Sequence, residues 1–201
     1  NQVHGNEIAV ITENDMGKGR TDAEDAVQGK DGLITNRKGI WLTAFFADCV
    51  PLYFFDPVNE AVGIAHAGWK GTVLNIARNT AQAMQKQFDS KPEHILAAIG
   101  PSIQSCCYEV DNHVIQQVDK LLEEHAITDS SPYYIRKNQE KYMLDLQQLN
   151  KQNMIKAGIL PMNIEISEWC TSCSTTMFFS HRKEAGKTGR MAAWIGLHLL
   201  D

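Results

Sequence analysis

Apolar positions in the first third of the chain form three consecutive runs of strand length: residues 40–47, 50–55 and 61–67. Asp48-Cys49 separates the first two runs, and Asp56-Pro57 marks a turn before the third. Apolar runs of this length between turn signals predict buried strands. His66 stands near the end of the third run, so reactive side chains occur where predicted strands stop. That is the usual place for a site on a rigid sheet.

The rest of the chain predicts shorter strands and three helices. Short apolar stretches predict strands at residues 7–12, 33–35, 95–99, 133–135, 163–167 and 191–197. Apolar positions at helical spacing predict helices over residues 72–88, 111–125 and 143–157. We expect Asp111 to be an N-cap and Gly158 to be a C′ residue. Residues 13–30 lack apolar periodicity and predict a long surface loop.

These elements predict one α+β domain that covers residues 1–201. Strands and helices mix without strict alternation, so we expect mixed β-sheets packed together and flanked by helices. The chain begins at Asn1 without a methionine, and we expect it to lack its natural N-terminal segment.

Composition is that of an ordinary soluble globular protein and excludes two classes of partner. Hydrophobic residues make up 43% and charged residues 21% of the 201 residues. The net charge of −5 argues against nucleic acid as a partner, and no apolar run approaches the length of a membrane span. Five cysteines are an odd number and no export signal accompanies them, so we expect reduced thiols and a cytoplasmic location.

His4, Cys49 and His66 are the first candidates for chemistry. Two imidazoles and a thiolate suit zinc, and catalytic zinc sites keep three protein ligands with a fourth position open. Separations of 45 and 17 residues match no compact metal motif, however, and leave two other interpretations. Cys49 and His66 could form the nucleophile–base pair of a cysteine hydrolase. They could also be a small buried hydrophobe and a hydrogen-bonded sheet histidine.

The remaining cysteines give a weaker signal. Cys170 and Cys173 have the C-x-x-C spacing of half a zinc site or of a redox pair. Cys106 and Cys107 are adjacent and lack that spacing. The sequence therefore argues against a four-cysteine metal site and predicts ordinary thiols at the end of a strand.

Two basic stretches are candidates for holding an anion. Lys70 lies in a Gly-Trp-Lys-Gly-Thr stretch between a predicted strand and a predicted helix, where N–H groups and the helix dipole favour an anion. The Walker A pattern is missing there. Arg182, Lys187 and Arg190 lie in or beside a glycine-containing loop and could add a second anion contact. The alternatives are a simple strand-to-helix turn and a solvated basic loop.

Motifs spread along the whole chain carry a family resemblance. They are NQVHG (1–5), DGLIT (31–35), ADCVPL (47–52), HAGWKGT (66–72), IGPSI (99–103), CYEV (107–110) and FFSHR with TGR (178–182, 188–190). With them the chain resembles the YfiH/YlmD family, also called the laccase-domain or multicopper polyphenol oxidase family and related to mammalian FAMIN. The resemblance implies an α+β fold of mixed sheets with helices outside, which has been compared with cysteine-hydrolase-like toxins such as CNF. It also implies a metal trio of His4, Cys49 and His66.

The activity implied by the resemblance is purine nucleoside metabolism. It comprises phosphorolysis of adenosine, inosine, guanosine and methylthioadenosine to the base and a ribose 1-phosphate, and deamination of adenosine to inosine. Zinc is the expected metal and copper is less favoured, because seven histidines without a His-x-His pair are too few for a multicopper oxidase. Asp48 is expected either to exchange protons with substrate or to orient His66. Phosphate is expected to bind Lys70, Arg182 and Arg190.

Two other classes of function stay open at this point. A cysteine hydrolase or amidase, for example in peptidoglycan quality control, would use Cys49 as its nucleophile and would work in the presence of chelator. A non-enzymatic metal-binding or scaffold protein would bind metal through Cys49 without turnover.

Overall fold

The centre of the fold is a six-stranded mixed sheet, seen in a computed structural model that describes residues 1–198. In spatial order its strands are β1 (Ile8–Val10), β2 (Gly32–Thr35), β5 (Ala61–Ala67), β4 (Val50–Asp56), β6 (Leu96–Ile99) and β10 (Ile164–Ile166). The outer pairs β1–β2 and β6–β10 are parallel, and the pairs between them are antiparallel. The C-terminal ends of β6 and β10 therefore lie side by side.

Further layers cover this sheet. β3 (Trp41–Phe46) and β11 (Met191–Gly196) form an antiparallel pair. The helices are α1 (Trp69–Val73), α2 (Ile76–Phe88), α3 (Asn112–Glu124) and α4 (Leu146–Lys156). A small third sheet contains β7 (Glu109–Asp111), β9 (Lys141–Leu144) and β8 (Tyr134–Arg136). The predicted α+β fold of mixed sheets and flanking helices is confirmed, and residues 199–201 of the predicted domain lie outside the described residues.

Side-chain alternation along the central strands builds two hydrophobic cores. On β4, Val50, Leu52 and Phe54 belong to the core formed with the helices, whereas Tyr53 and Phe55 pack in the core formed with β3 and β11. Successive side chains of a strand point to opposite faces. The unbroken apolar run in the sequence is therefore a strand that is covered on both faces.

The β4–β5 hairpin brings two reactive side chains to one face of the sheet. Pro51 lies opposite His66 in the antiparallel register. Cys49 directly precedes β4, and a period of two places it on the same face as Pro51. Both reactive side chains therefore point toward β3, where the ring of Phe46 lies 5.3 Å from the ring of His66.

Two of the predicted helices have different boundaries in the structure. The helix predicted over residues 72–88 is divided into α1 and α2, because Asn75 takes a left-handed backbone conformation (φ 61°) between them. The helix predicted over residues 143–157 begins only at α4. Met143 and Leu144 pair in β9, and the side chain of Asp145 caps the helix by accepting from the N–H of Gln148.

The other local predictions agree with the structure. Asp111 caps α3 and accepts from the N–H of Val114 at 3.2 Å. Gly158 follows α4 with a φ of 97°, as a C′ glycine does. Residues 13–30 form a loop of turns with a single 3-10 turn, Glu13–Asp15. Among residues 1–198, no helix combines the length and apolar character needed to cross a membrane.

Candidate active site

The structure brings together the metal-ligating atoms of His4, Cys49 and His66, which all lie within 4.8 Å of one another. His4 comes from the loop before β1, Cys49 from the loop before β4 and His66 from the end of β5. The two imidazole rings meet edge to face, with their centroids 4.7 Å apart. We call these residues the metal trio, because two imidazoles and a thiolate form the donor set of a three-ligand zinc site.

Asp31 holds the loop that carries His4. Its carboxylate accepts backbone N–H bonds from Val3 at 3.1 Å, from His4 at 3.0 Å and from Gly5 at 2.7 Å. His4 adopts a left-handed backbone conformation (φ 61°), which lets consecutive N–H groups turn toward this one carboxylate. The His4 ring is thus positioned without a strand or a helix.

Two side chains anchor the same segment, residues 1–6, which we call the N-terminal arm. The Gln2 amide donates to the carbonyl of Phe45 on β3 at 2.9 Å and accepts from its N–H at 2.8 Å. Asn6 donates to the carbonyl of Leu74 at 2.9 Å. The arm is therefore fixed to β3, to Asp31 and to the end of α1.

Asp31 also orients His66 by accepting a hydrogen bond from its Nδ1 at 2.8 Å, and both side chains are buried. With Nδ1–H on Asp31, Nε2 is left as the metal-ligating nitrogen, as in carboxylate–histidine–zinc arrangements. Burial acts to lower the pKa of His66, but Asp31 and the Cys49 thiolate raise it to about 9. Burial acts to raise the pKa of Asp31, but the bonds from His66, Gly5 and Val3 lower it to about 2.

Cys49 lies against both histidines. Burial acts to raise its pKa, but hydrogen bonds and charges of His4 and His66 lower the pKa of Cys49 to about 7.

Gly68 has no side chain and leaves space for His4 and Cys49 to lie close together. A Cβ there would stand 3.0 Å from Cδ2 of His4 and 3.2 Å from Sγ of Cys49. The donor set, its spacing and this cradle fit a zinc ion.

Asp48 accepts hydrogen bonds from residues 171–182 and not from His66. Its Oδ1 accepts from the hydroxyl of Thr171 at 2.6 Å, and its Oδ2 accepts from the hydroxyl of Ser180 at 3.1 Å and the N–H of Arg182 at 2.7 Å. The expectation that Asp48 orients His66 is wrong, because Asp31 makes that bond. Asp48 instead joins the loop before β4 to the connection between β10 and β11.

A cavity of about 570 Å³ opens over the metal trio. Its wall includes the aromatic rings of Phe45, Trp69 and Tyr108, and its lining also includes Arg182 and Arg190. The volume is that of a small-molecule site. An aromatic wall with two guanidinium groups suits a flat ligand together with an anion.

Two of the three predicted phosphate-binding residues line the cavity and the third does not. Arg182 donates from Nη1 to the carbonyl of Glu109 at 2.8 Å, and its guanidinium lies 5.1 Å from the ring centre of Tyr108. Arg182 and Arg190 line the cavity, whereas Lys70 is exposed and is not among its lining residues. The structure therefore does not bring Lys70 to the site.

A larger cavity of about 1150 Å³ lies between the loop of residues 13–30 and β3. None of the described residues that line it is a histidine or a cysteine. It therefore lacks the nucleophilic and metal-ligating groups that the smaller cavity has, and we place the candidate site at the smaller one.

The other four cysteines also come together. The sulfurs of Cys106, Cys107, Cys170 and Cys173, which we call the cysteine cluster, lie within 4.8 Å of one another. The sequence argued against a four-cysteine group, and the structure contradicts this, because spacing along the chain ignores strand order. β6 and β10 are parallel neighbours, so the connections that leave their C-terminal ends start from the same edge of the sheet.

Sequence reasoning overlooked Asp31 and His181. Asp31-Gly32 has the pattern of a turn, and its DGLIT motif indicates the family and not a site residue. The sequence does place the carboxylate of Asp31 just before a short apolar run. A carboxylate in that position can be buried and can accept hydrogen bonds from several backbone N–H groups. His181 also lines the smaller cavity, and it stands beside Arg182 in the FFSHR motif.

Comparison with known proteins identifies relatives over nearly the whole chain. The family model described as "Multi-copper polyphenol oxidoreductase laccase" matches residues 1–198. "Purine nucleoside phosphorylase YlmD" from Bacillus subtilis is 41% identical over 196 residues, which cover 98% of this chain and 69% of that protein. The protein of the same name from Geobacillus stearothermophilus is 43% identical, with 97% and 70% covered. The crystal structure of Bacillus licheniformis hypothetical protein YfiH superposes with a TM-score of 0.93 at 43% identity, covering 98% of this chain and 72% of that one.

Proposed function

The chain belongs to the family described as multi-copper polyphenol oxidoreductase laccase, and we propose that it is a zinc-dependent purine nucleoside phosphorylase. The observation that carries the proposal is the metal trio beneath a cavity lined by Arg182 and Arg190. The relatives that are 41% and 43% identical over nearly the whole chain are named purine nucleoside phosphorylases, which supports the same reaction class.

The cavity supplies contacts for both substrates of this reaction. The rings of Phe45, Trp69 and Tyr108 offer faces or edges to a purine, and such aromatic contacts are favourable in a partly dry site. Arg182 and Arg190 offer charge-assisted hydrogen bonds to phosphate. We assign adenosine, inosine, guanosine and methylthioadenosine as substrates, with deamination of adenosine to inosine as a second reaction in the same cavity.

We assign zinc to the metal trio. When bound there, zinc would supply a Lewis acid that polarises an oxygen of the adjacent ligand. Asp31 keeps the His66 proton on Nδ1 and so keeps Nε2 free to ligate. Residues 1–198 contain one such trio and the sequence has seven histidines, which favours a mononuclear zinc site over several coppers.

In phosphorolysis, the bond between C1′ and the purine nitrogen breaks while a phosphate oxygen bonds to C1′, and the released purine keeps the bonding electrons and takes up a proton from solvent. Arg182 and Arg190 would hold the phosphate, and holding it beside C1′ contributes through proximity. Asp48 has a positioning role in this proposal, because its two oxygens accept from three donors and one of these is the N–H of Arg182. Proton exchange with substrate is not assigned to it.

Product analysis with and without phosphate tests the proposal. We expect inosine to give hypoxanthine and ribose 1-phosphate only when phosphate is present, and adenosine to give inosine without phosphate. Cys49→Ala and His4→Ala should lose activity and the metal of this site, whereas the matched control His94→Ala, a histidine outside the cavity, should keep both. Absence of base release from every nucleoside by the zinc-loaded protein would refute the phosphorylase.

A cysteine hydrolase remains the second candidate because the Cys49 sulfur and a ring nitrogen of His66 lie within 4.8 Å of each other. The pKa of Cys49 is lowered to about 7 and that of His66 is raised to about 9, which favours a thiolate beside an imidazolium. This pair is the activated form of a cysteine nucleophile. Amide hydrolysis that continues in chelator and disappears in Cys49→Ala would support this candidate over the zinc enzyme.

We also propose a cytoplasmic location. All five cysteines are free in the structure, including the closely spaced cysteine cluster. Free thiols at such short separations are suited to a reducing compartment.

A further inference from the structure

We propose that the cysteine cluster binds a second zinc ion through its four thiolates, at a site that shares no ligand with the metal trio. A thiolate is a soft ligand, and structural zinc sites are closed by four protein ligands. The cluster has four cysteines and the trio has three ligands, so the two groups match the structural and the catalytic patterns respectively.

The separations between sulfurs are those of a tetrahedral tetrathiolate site. With zinc–sulfur bonds of about 2.3 Å, the edges of the ligand tetrahedron are about 3.8 Å long. The Sγ atom of Cys106 lies 3.8 Å from that of Cys107 and 3.6 Å from that of Cys173, and Cys107 and Cys173 are 3.4 Å apart. The fourth sulfur, Cys170, lies within 4.8 Å of the other three.

The backbone around the cluster is already ordered. Ser102 and Cys170 form a β-bridge that continues the parallel pairing of β6 and β10. Thr171 donates its N–H to the carbonyl of Ser102 at 3.0 Å. Two connections from distant parts of the chain are thus held side by side next to the thiols.

A zinc ion in the cluster would brace the candidate active site from outside. Cys107 precedes Tyr108, a residue of the cavity wall, and Cys170 precedes Thr171, which donates to Asp48. One ion would therefore join the two connections that hold Tyr108 and the carboxylate beside Cys49. We assign it a structural role, because a closed site has no position for substrate.

Metal analysis of the whole chain tests this inference. Protein purified under a non-chelating reductant should contain two zinc ions per chain. Cys106→Ser and Cys173→Ser should each lose one of them, and these two cysteines are exposed, so the substitutions disturb little packing. Ser174→Ala is the matched control, since it removes a neighbouring hydroxyl and leaves every thiol in place, and it should keep both ions.

Variants of the metal trio separate this inference from the proposed function. Cys49→Ser should keep one zinc ion, and cobalt added to its metal-stripped form should give the charge-transfer and ligand-field absorption of a tetrahedral thiolate site. Removal of that ion should lower the Tm by several degrees. A wild-type chain with one zinc ion that Cys106→Ser and Cys173→Ser both retain would overturn the inference. A mass showing two disulfides in protein kept under reductant would also overturn it.

Discussion

Asp31 Oδ1 lies 2.8 Å from Nδ1 of His66, and the same carboxylate accepts the backbone N–H of His4. One buried side chain therefore orients one histidine of the metal trio through its ring and the other through its backbone. The two histidines are 62 residues apart in the sequence, and Asp31 lies between them. Asp31 therefore couples the positions of the two histidines in the trio.

Asp31→Asn should weaken zinc binding by the metal trio about 10–100-fold, the usual effect of losing a carboxylate bonded to a ligating histidine. An amide has one acceptor oxygen where the carboxylate has two, so it cannot accept hydrogen bonds from both the His66 ring and the three N–H groups. Both histidines then lose hydrogen bonds that fix their positions. Competition titration with a chromogenic chelator measures the change. Glu7→Gln is the control, because Glu7 is an exposed carboxylate near the arm that pairs with Lys30 at the surface. Equal affinity in the two variants would contradict the prediction.

Gly68→Ala should reduce metal content and kcat/KM together while leaving the fold intact. The new Cβ would stand 3.0 Å from His4 and 3.2 Å from the Cys49 sulfur, so one of these ligands has to move. Backbone strain is not involved, since the φ of Gly68 is −73°. Gly5→Ala is the control, because its Cβ would make only ordinary contacts at 3.5 Å or more. Wild-type metal content in Gly68→Ala would show that the cradle is wider than the structure indicates.

Arg182→Gln and Arg190→Gln should each raise the KM for phosphate about tenfold or more, as expected for a lost charge-assisted hydrogen bond. The KM for the nucleoside should change less. Lys70→Gln should leave both values unchanged, because Lys70 does not line the cavity. Initial rates at varied phosphate concentrations measure these constants. A large rise in Lys70→Gln would return that residue to the phosphate site.

Asp56 should make the fold sensitive to acid. Burial acts to raise its pKa, but hydrogen bonds, among them those from Asn59 and the N–H of Val58, lower the pKa of Asp56 below its ordinary value of 3.8. A carboxyl group whose folded pKa is lowered stabilises the fold above about pH 4, and this contribution is lost as the pH falls through the folded pKa.

Urea unfolding between pH 6 and pH 3 measures this effect. The free energy of unfolding of Asp56→Asn should start lower at pH 6 and should decline less toward pH 3 than that of the wild type. Glu165→Gln, which removes an exposed carboxylate on β10, should follow the wild-type curve. If the free energies of unfolding of Asp56→Asn and the wild type fell in parallel with pH, Asp56 would not contribute to the acid sensitivity.

Local signals in the sequence predicted much of the fold. The apolar runs gave β4 and β5 because strands buried on both faces are continuously apolar, and Asp111 was recognisable as a cap because its hydrogen bond is made within one turn. The break at Asn75 was missed, since a single left-handed residue does not interrupt an apolar period. Met143 was assigned to a helix for a related reason, because short strands and helix starts have similar patterns.

The three residues of the metal trio were candidates from the sequence and the family resemblance, but only two of them lie on one hairpin. Cys49 and His66 follow from the β4–β5 register, but the contact of Asp31 with the N-terminal arm joins segments that have no local signal in common. The contact between Cys106 and Cys173 was not predictable from the sequence for the same reason. Their meeting depends on the parallel pairing of β6 with β10, which neither segment encodes alone.

The N-terminal arm contributes a ligand, and metal affinity and arm docking are therefore thermodynamically linked. Any free energy that Asp31 or Gln2 adds to the docked state increases the affinity for the ion, and the bound ion favours the docked arm by the same free energy. Amide protons of Val3 and Gly5, which are bonded to Asp31, should consequently exchange with solvent more slowly as metal is added. A bound ion would then hold residues 1–6 against the sheet.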